Sequence, residues 1–371
     1  MKLSSSGKLI IIVAVILAAI VIGMIMIRDK EVDTDITSKT TNVGLVITGA
    51  RDDANFCQTH YDALTHIKED LNLNVICSEG VTEDEACLDA MKDLIEHKRC
   101  EIIIAASYGY GEYVTKAAEA YPDVFFINPS GTEKRINMSS CFGRMYQARY
   151  LSGIVAGMKT ETGEIGYVAA FPISEVIRGI NAFTLGVRSV APDVNVHVIY
   201  VNSWVDDDVA EKGSNILMER YPDIDIMSMH TNSLAPNRVA ADRGIFSIGF
   251  NMDNAELFPG SLLAACEWKW DEYYKKTILD CLKGKFYGSI DWISMEDGIV
   301  GLSEPTSACA PGTKGAVERA VGGFEDRNFD VFYGPVTDNE GVLRIPEGES
   351  MSDDEMLNRF DWYVEGVSVE E

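Results

Sequence analysis

The chain has 371 residues, enough for one large domain or two linked lobes. With 46% hydrophobic and 24% charged residues it can bury an ordinary core, which excludes wholesale disorder. A formal net charge of -26, from 58 acidic against 32 basic residues, repels phosphate backbones and argues against direct nucleic-acid binding.

Every residue from Leu9 to Ile27 is apolar or glycine, flanked by Lys2 and Lys8 before and Arg28-Asp29-Lys30 after. A run of about 20 apolar residues spans a bilayer as a helix. No Ala-x-Ala site follows it, and no cysteine stands near it for a lipid anchor. The segment therefore predicts an uncleaved signal anchor, single-pass in the cell membrane, with the body extracytoplasmic. Residues 1–41 are anchor and polar tether, and the globular body runs over 42–371. The eight cysteines form no CxxC pair, so zinc-ribbon and thioredoxin readings have no support. Outside the cytoplasm they read as disulfides or as buried thiols.

The body alternates strand and helix. Val43–Ile47, Asn74–Cys77, Glu101–Ala106 and Val124–Ile127 are short apolar runs of the buried parallel type. Between them the pattern predicts helices over Phe56–Asp70, Glu83–His97 (capped by Thr82) and Gly111–Tyr121. A helix over Tyr146–Thr160, whose Gly153, Ala156 and Gly157 permit close packing, opens a second set. Its strands are Ile165–Ala169, Val194–Val201, Ile224–Met229, Ile245–Gly249 and Leu262–Cys266. Its helices are Glu175–Val190, Val209–Tyr221 and a short one after Pro236. The helix Trp270–Leu282 and a turn-rich remainder follow, as expected of a tail that crosses back between lobes. The fold class is α/β, with two doubly wound lobes.

In open α/β sheets ligands sit beyond the carboxyl ends of the strands. Those positions hold Asn55 and Phe56, Tyr108, Phe171, Trp204, Asn232, Asn251 and Asp253, and the pair Trp268 and Trp270. Rings offer stacking faces, and carboxamides offer paired donors and acceptors to the edge of a planar heterocycle. With few cations among them, the set suits a nucleobase or nucleoside better than an anion. Each residue also has a packing reading. Trp204 and Phe56 are ligand faces or core, one of Trp268 and Trp270 belongs to each, and Asp253 serves equally as a helix cap. His230 reads as a buried structural histidine. No Walker A, GxSxG or HExxH sequence is present, so no catalytic, metal or cofactor site is expected.

Several stretches carry a resemblance. They are Asp53-Ala-Asn-Phe-Cys-Gln58, Tyr146–Gly157, Gly163–Ala182, Val201-Asn-Ser-Trp-Val-Asp206, His230-Thr-Asn-Ser233, Tyr333-Gly-Pro-Val336 and Asp361-Trp-Tyr-Val-Glu-Gly366. Together they make the body similar to the BMP (basic membrane protein) family of ABC-transporter substrate-binding proteins. The resemblance implies a type I periplasmic-binding-protein fold, with lobe 1 at about 42–145 plus 268–285, and lobe 2 at about 160–260 plus the C-terminal segments. It implies a purine base or nucleoside as ligand, stacked on Phe56, with the 230–233 and 251–253 positions and the Trp204 loop facing it. The Phe171–Val176 and Trp270–Tyr274 patterns resemble a subgroup associated with adenine-like bases. The implied partners are an ABC permease and ATPase. Two departures bear on the base: Gly49-Ala-Arg-Asp-Asp53 replaces a usual glycine pair, and Asn232 stands where a related subgroup has aspartate. The rival expectations are a membrane-bound sensor with the same fold and a nucleoside hydrolase.

Overall fold

The computed structural model describes residues 38–326 and 329–370, so the predicted anchor Leu9–Ile27 lies outside the described residues. Among the described residues no helix is long and apolar enough to cross a membrane.

Two sheets organise the body. The first has six strands: β1 (Thr41–Ile47), β2 (Leu73–Ser78), β3 (Ile102–Ala106), β4 (Phe125–Pro129), β5 (Met138–Gly143) and, late in the chain, β11 (Ile290–Ile293). Their order is β11-β5-β4-β3-β1-β2, and every pairing is parallel. Helices α1 (Phe56–Ile67), α2 (Glu85–Glu96) and α3 (Gly111–Ala120) connect the early strands. Alternate residues of β1 face opposite ways. Val43, Leu45 and Ile47 pack with Ala63 and Leu64 of α1, whereas Val46 packs with Cys87, Met91 and Leu94 of α2. Both faces of this sheet are thus buried, which is why its strands read as unbroken apolar runs.

The second sheet has seven strands. They are β6 (Glu164–Ala169), β7 (Asn195–Tyr200), β8 (Ile226–His230), β9 (Phe246–Asn251), β10 (Leu262–Trp268), β12 (Val300–Leu302) and β15 (Val367–Glu370). The order is β12-β10-β9-β8-β6-β7-β15, parallel except for β12. Tyr167 and Ala169 face the helices α4 (Met145–Lys159) and α5 (Ser174–Arg188). Val168 faces the side covered by α6 (Asp207–Arg220) and α7 (Ala235–Arg243). The chain passes between the sheets after β5, again from β10 to α8 (Trp270–Leu282), and from β11 to β12.

The structure differs from expectation at the cap of α2 and in strand β5, and it decides between the two readings of the cysteines. Helix α2 is capped by Asp84, which accepts from Ala86 N at 2.9 Å, while Thr82 donates to that carboxylate at 2.8 Å. Strand β5 was not expected because Ser139 and Ser140 break its apolar run; both are buried, and Ser139 Oγ accepts from Ser289 N at 3.0 Å. All eight cysteines are free thiols. Burial pushes Cys57 up to about 11 and Cys87 up to about 12, so both stay protonated and unreactive.

The C-terminal Asp361–Gly366 stretch is tied down by one buried amide. Asn181 donates to Trp362 O at 2.8 Å and accepts from Val364 N at 3.0 Å, which leads β15 onto the edge of β7. The small residues of α4 and α5 permit backbone contact. A Cβ on Gly186 would lie 2.0 Å from Tyr150 O, and one on Gly153 would lie 2.1 Å from Phe183 O. Gly186→Ala is expected to destabilise by about 1–3 kcal/mol despite its better helix propensity. Gly322→Ala, with nothing within 4 Å, is expected to be neutral or stabilising. Urea midpoints of the two variants check the contrast.

Candidate ligand-binding site

The β1–α1 loop brings the two sheets into contact. Asp53 holds the loop by accepting from Asn55 N at 2.9 Å and Gln58 N at 3.0 Å. Asn55 caps α1, its Oδ1 accepting from Phe56 N at 3.1 Å. The Asn55 carboxamide then crosses to the second sheet, donating to the backbone carbonyl of Asn232 and accepting from Asn251 Nδ2. Asn251 donates its other hydrogen to Asn232 Oδ1 at 2.8 Å and accepts from Trp268 Nε1 at 3.0 Å. Asn254 adds a bond to Ala54 O at 3.0 Å. Asn55 and Asn251 are fully buried, so carboxamides from three strand-end loops bridge the halves where an α/β sheet binds ligands.

Two groups of rings adjoin the elements of this bridge, one on each sheet's side of the chain. Phe56, half-buried, stands edge-on to His60 at 4.6 Å, with Trp268 at 6.3 Å and Trp270 at 6.5 Å. On the opposite side Phe171 lies 6.0 Å from Trp204, whose ring is 6.1 Å from His230. The Trp204 carbonyl accepts from Asn232 N at 2.6 Å and Thr231 Oγ1 at 2.7 Å, which ties this loop to the carboxamides.

Of the residues expected from sequence, Asn55, Asn232 and Asn251 meet directly, with Phe56 beside them, and Phe171 and Trp204 form the facing group. Trp270 is placed differently. It is fully enclosed, stacks on Trp268 at 4.8 Å and on His60 at 4.5 Å, and donates to Thr59 Oγ1 at 3.2 Å. Its neighbour Trp268 is the one that reaches the carboxamides: it is the last residue of β10, whereas Trp270 already begins α8. Asp253 is exposed and caps a turn, accepting from Ala255 N at 2.9 Å. Tyr108 opens a short turn before α3 and is 71% exposed. Sequence reasoning missed His60, four positions beyond Phe56 on the same helix face, a spacing that signals contact. It also missed Asn254, and of the pair Trp268 and Trp270 it is Trp268 that meets the carboxamides.

Burial lowers His60 to about 3, and its Nδ1 meets Tyr274 Oη at 2.6 Å. The folded chain thus refuses a proton that an unfolded histidine takes up near its ordinary value of 6.5. Stability is full above that value and falls as pH drops toward 3, by up to about 1.4 kcal/mol per pH unit for this group. Urea midpoints at pH 7, 6 and 5 are expected to fall less steeply in His60→Gln than in the parent. Among the described residues no group of three His, Cys, Asp or Glu side chains is placed to hold a metal ion.

Two sheets of mostly parallel strands with alternating helices, touching through strand-end loops, define an α/β fold of the periplasmic-binding-protein-like class. The crystal structure of a transcriptional activator of the comK gene from Bacillus halodurans shares the fold, with a TM-score of 0.68 at 23% identity over 78% of this chain and 99% of that one. Residues 40–321 match the family described as ABC transporter substrate-binding protein PnrA-like. The purine-binding protein of Brucella abortus is 31% identical over 327 residues, 88% of this chain and 92% of its own. A putative ABC transporter glucose-binding protein, TsgA13 of Haloferax volcanii, is 33% identical over 73% of this chain and 66% of its own length. The chain belongs to the Bmp family of ABC-transporter substrate-binding proteins, a family of extracytoplasmic binding proteins rather than enzymes.

Proposed function

We propose that the chain is the membrane-tethered binding component of an ABC importer and captures a purine base or nucleoside, adenine-like by preference. The observation that carries this reading is the three-asparagine bridge beside Phe56. The Asn232 carboxamide, the half-buried member of the bridge, would pair in two-point fashion with adenine's amino group and adjacent ring nitrogen, held in place by Asn251 and Asn55, while a flat ring stacks on the base's face. The name of the Brucella relative supports a purine. The Haloferax relative is named for glucose, which makes a sugar the ligand to test against. Nothing in the bridge carries a formal charge, which suits a neutral planar base.

In this reading the two sheets with their helices are lobes, the first built from Thr41–Gly143 with Trp270–Ile293 and the second from Met145–Trp268 with Val300–Leu302 and the C-terminal segments, which moves the expected bounds so that β11 joins the first lobe and β10 the second. The three crossings are the hinge. The purine enters the open cleft, stacks on Phe56, and is enclosed as Trp204, Asn232 and Asn251 close from the other lobe. The closed form then docks on a permease. Leu9–Ile27 tethers the body to the outer face of the cell membrane, which keeps it near that permease. Small-angle scattering on the body from Asn42 onward tests the closure. Adenine is expected to reduce the radius of gyration; an unchanged radius at saturating adenine contradicts it.

A further inference from the structure

We propose that Glu175 and His230 form a second recognition edge in this cleft, the carboxylate accepting an N–H of the bound heterocycle and the imidazole bonding the ring atom next to it. The inference rests on the purine reading above and assigns the edge of the base that faces the second lobe. Glu175 stands in the first turn of α5, just beyond Phe171, and His230 ends β8 immediately before Thr231 and Asn232. Glu175 Oε1 lies 3.9 Å from His230 Nε2. The Glu175 side chain is 32% exposed, against 2% for His230, so the carboxylate is the more accessible of the two.

The imidazole is fixed yet unspent. A Cβ on Gly179 would come within 2.8 Å of two ring atoms, so the α5 backbone holds His230 in one place. Phe250 stands edge-on to it at 4.8 Å. Both ring nitrogens are nevertheless buried without a hydrogen-bond partner, an expensive arrangement unless another molecule bonds them. Behind them is Arg149, fully buried, donating to Met229 O at 2.6 Å and lying 4.0 Å over the Phe250 ring. Burial raises the Glu175 carboxyl above its ordinary range, an effect that Arg178 and Arg149 oppose, and burial first, then Arg149 and Arg178, keep the imidazole neutral. A carboxylate accepts only, whereas a neutral imidazole offers one donor and one acceptor. Side by side they complement an amino group next to a ring nitrogen, the arrangement at the 6-position of adenine.

Calorimetry on the full-length protein in detergent tests this with adenine and 6-dimethylaminopurine, which keeps the ring but lacks the amino hydrogens. The parent is expected to bind the dimethylated base at least tenfold more weakly. Glu175→Gln is expected to lose at least tenfold for adenine and to show a smaller dimethylation penalty than the parent, the remainder being the share of the Asn232 carboxamide that also reads the amino group. His230→Gln, as a second variant, is expected to weaken adenine and narrow the same selectivity. An equal dimethylation penalty in parent and Glu175→Gln overturns the assignment, as does a parent indifferent to dimethylation. A parent that binds none of adenine, hypoxanthine and guanine overturns the purine reading itself, and this edge with it.

Discussion

Phe56→Ala is expected to weaken purine binding by well over tenfold, measured by calorimetry. The ring sits at the start of α1, beside the Asn55 cap whose carboxamide crosses to the second sheet. Base stacking on an aromatic side chain contributes about 1–3 kcal/mol, roughly tenfold to a hundredfold in affinity. The ring is also held edge-on by His60, itself stacked on Trp270, so it meets the base in one orientation without being ordered on binding. Phe56→Leu keeps the volume and loses the flat face, so it is expected to fall near Phe56→Ala in affinity while retaining the parent's melting temperature. Unchanged affinity in both variants would remove Phe56 from the site.

Asn251→Ala is the second large effect, on stability as well as binding. Asn251 has a backbone φ of 73°, a left-handed conformation that asparagine tolerates far better than alanine. Its side chain satisfies Asn55, Asn232 and Trp268 together. Removing it leaves the buried Trp268 Nε1 unpaired, at about 1–3 kcal/mol, and the backbone strain adds about 1–2 kcal/mol. The expected outcome is a melting temperature lower by several degrees and purine affinity lost beyond the tenfold level. Asn251→Asp retains the acceptor and much of the tolerance for positive φ, but replaces the donors to Asn55 and Asn232 by lone pairs. It is expected to keep more stability than Asn251→Ala and to bind purine no better.

Much of this architecture is legible from composition alone, for a physical reason. Strands buried on both faces, such as Ile102–Ala106, must be apolar throughout, and the helices between them repeat at their own period. Strand β5 was hidden because Ser139 and Ser140 are polar yet buried, Ser139 accepting from Ser289 far along the chain and Ser140 donating to Glu133 in the loop before the strand, partners that a strand pattern does not record. The return of Ile290–Ile293 to the edge of the first sheet is likewise a non-local pairing. At the site, the strand-end rule located Asn55, Asn232 and Asn251, since those positions follow from where β1, β8 and β9 stop. It names a neighbourhood and not a direction, so Tyr108 and Asp253 satisfy it equally while standing exposed. That the three carboxamides bond one another depends on how the two sheets face, which sequence spacing does not encode.

The central claim is that this cleft takes a purine, with glucose as the concrete rival. A thermal-shift screen of the body from Asn42 onward against adenine, hypoxanthine, guanine, adenosine and glucose tests it most directly, because a ligand bound only by the folded state raises its melting temperature by mass action. The account predicts a rise of several degrees with adenine, smaller or no rise with the other purines, and none with glucose. A rise with glucose and none with any purine would contradict it.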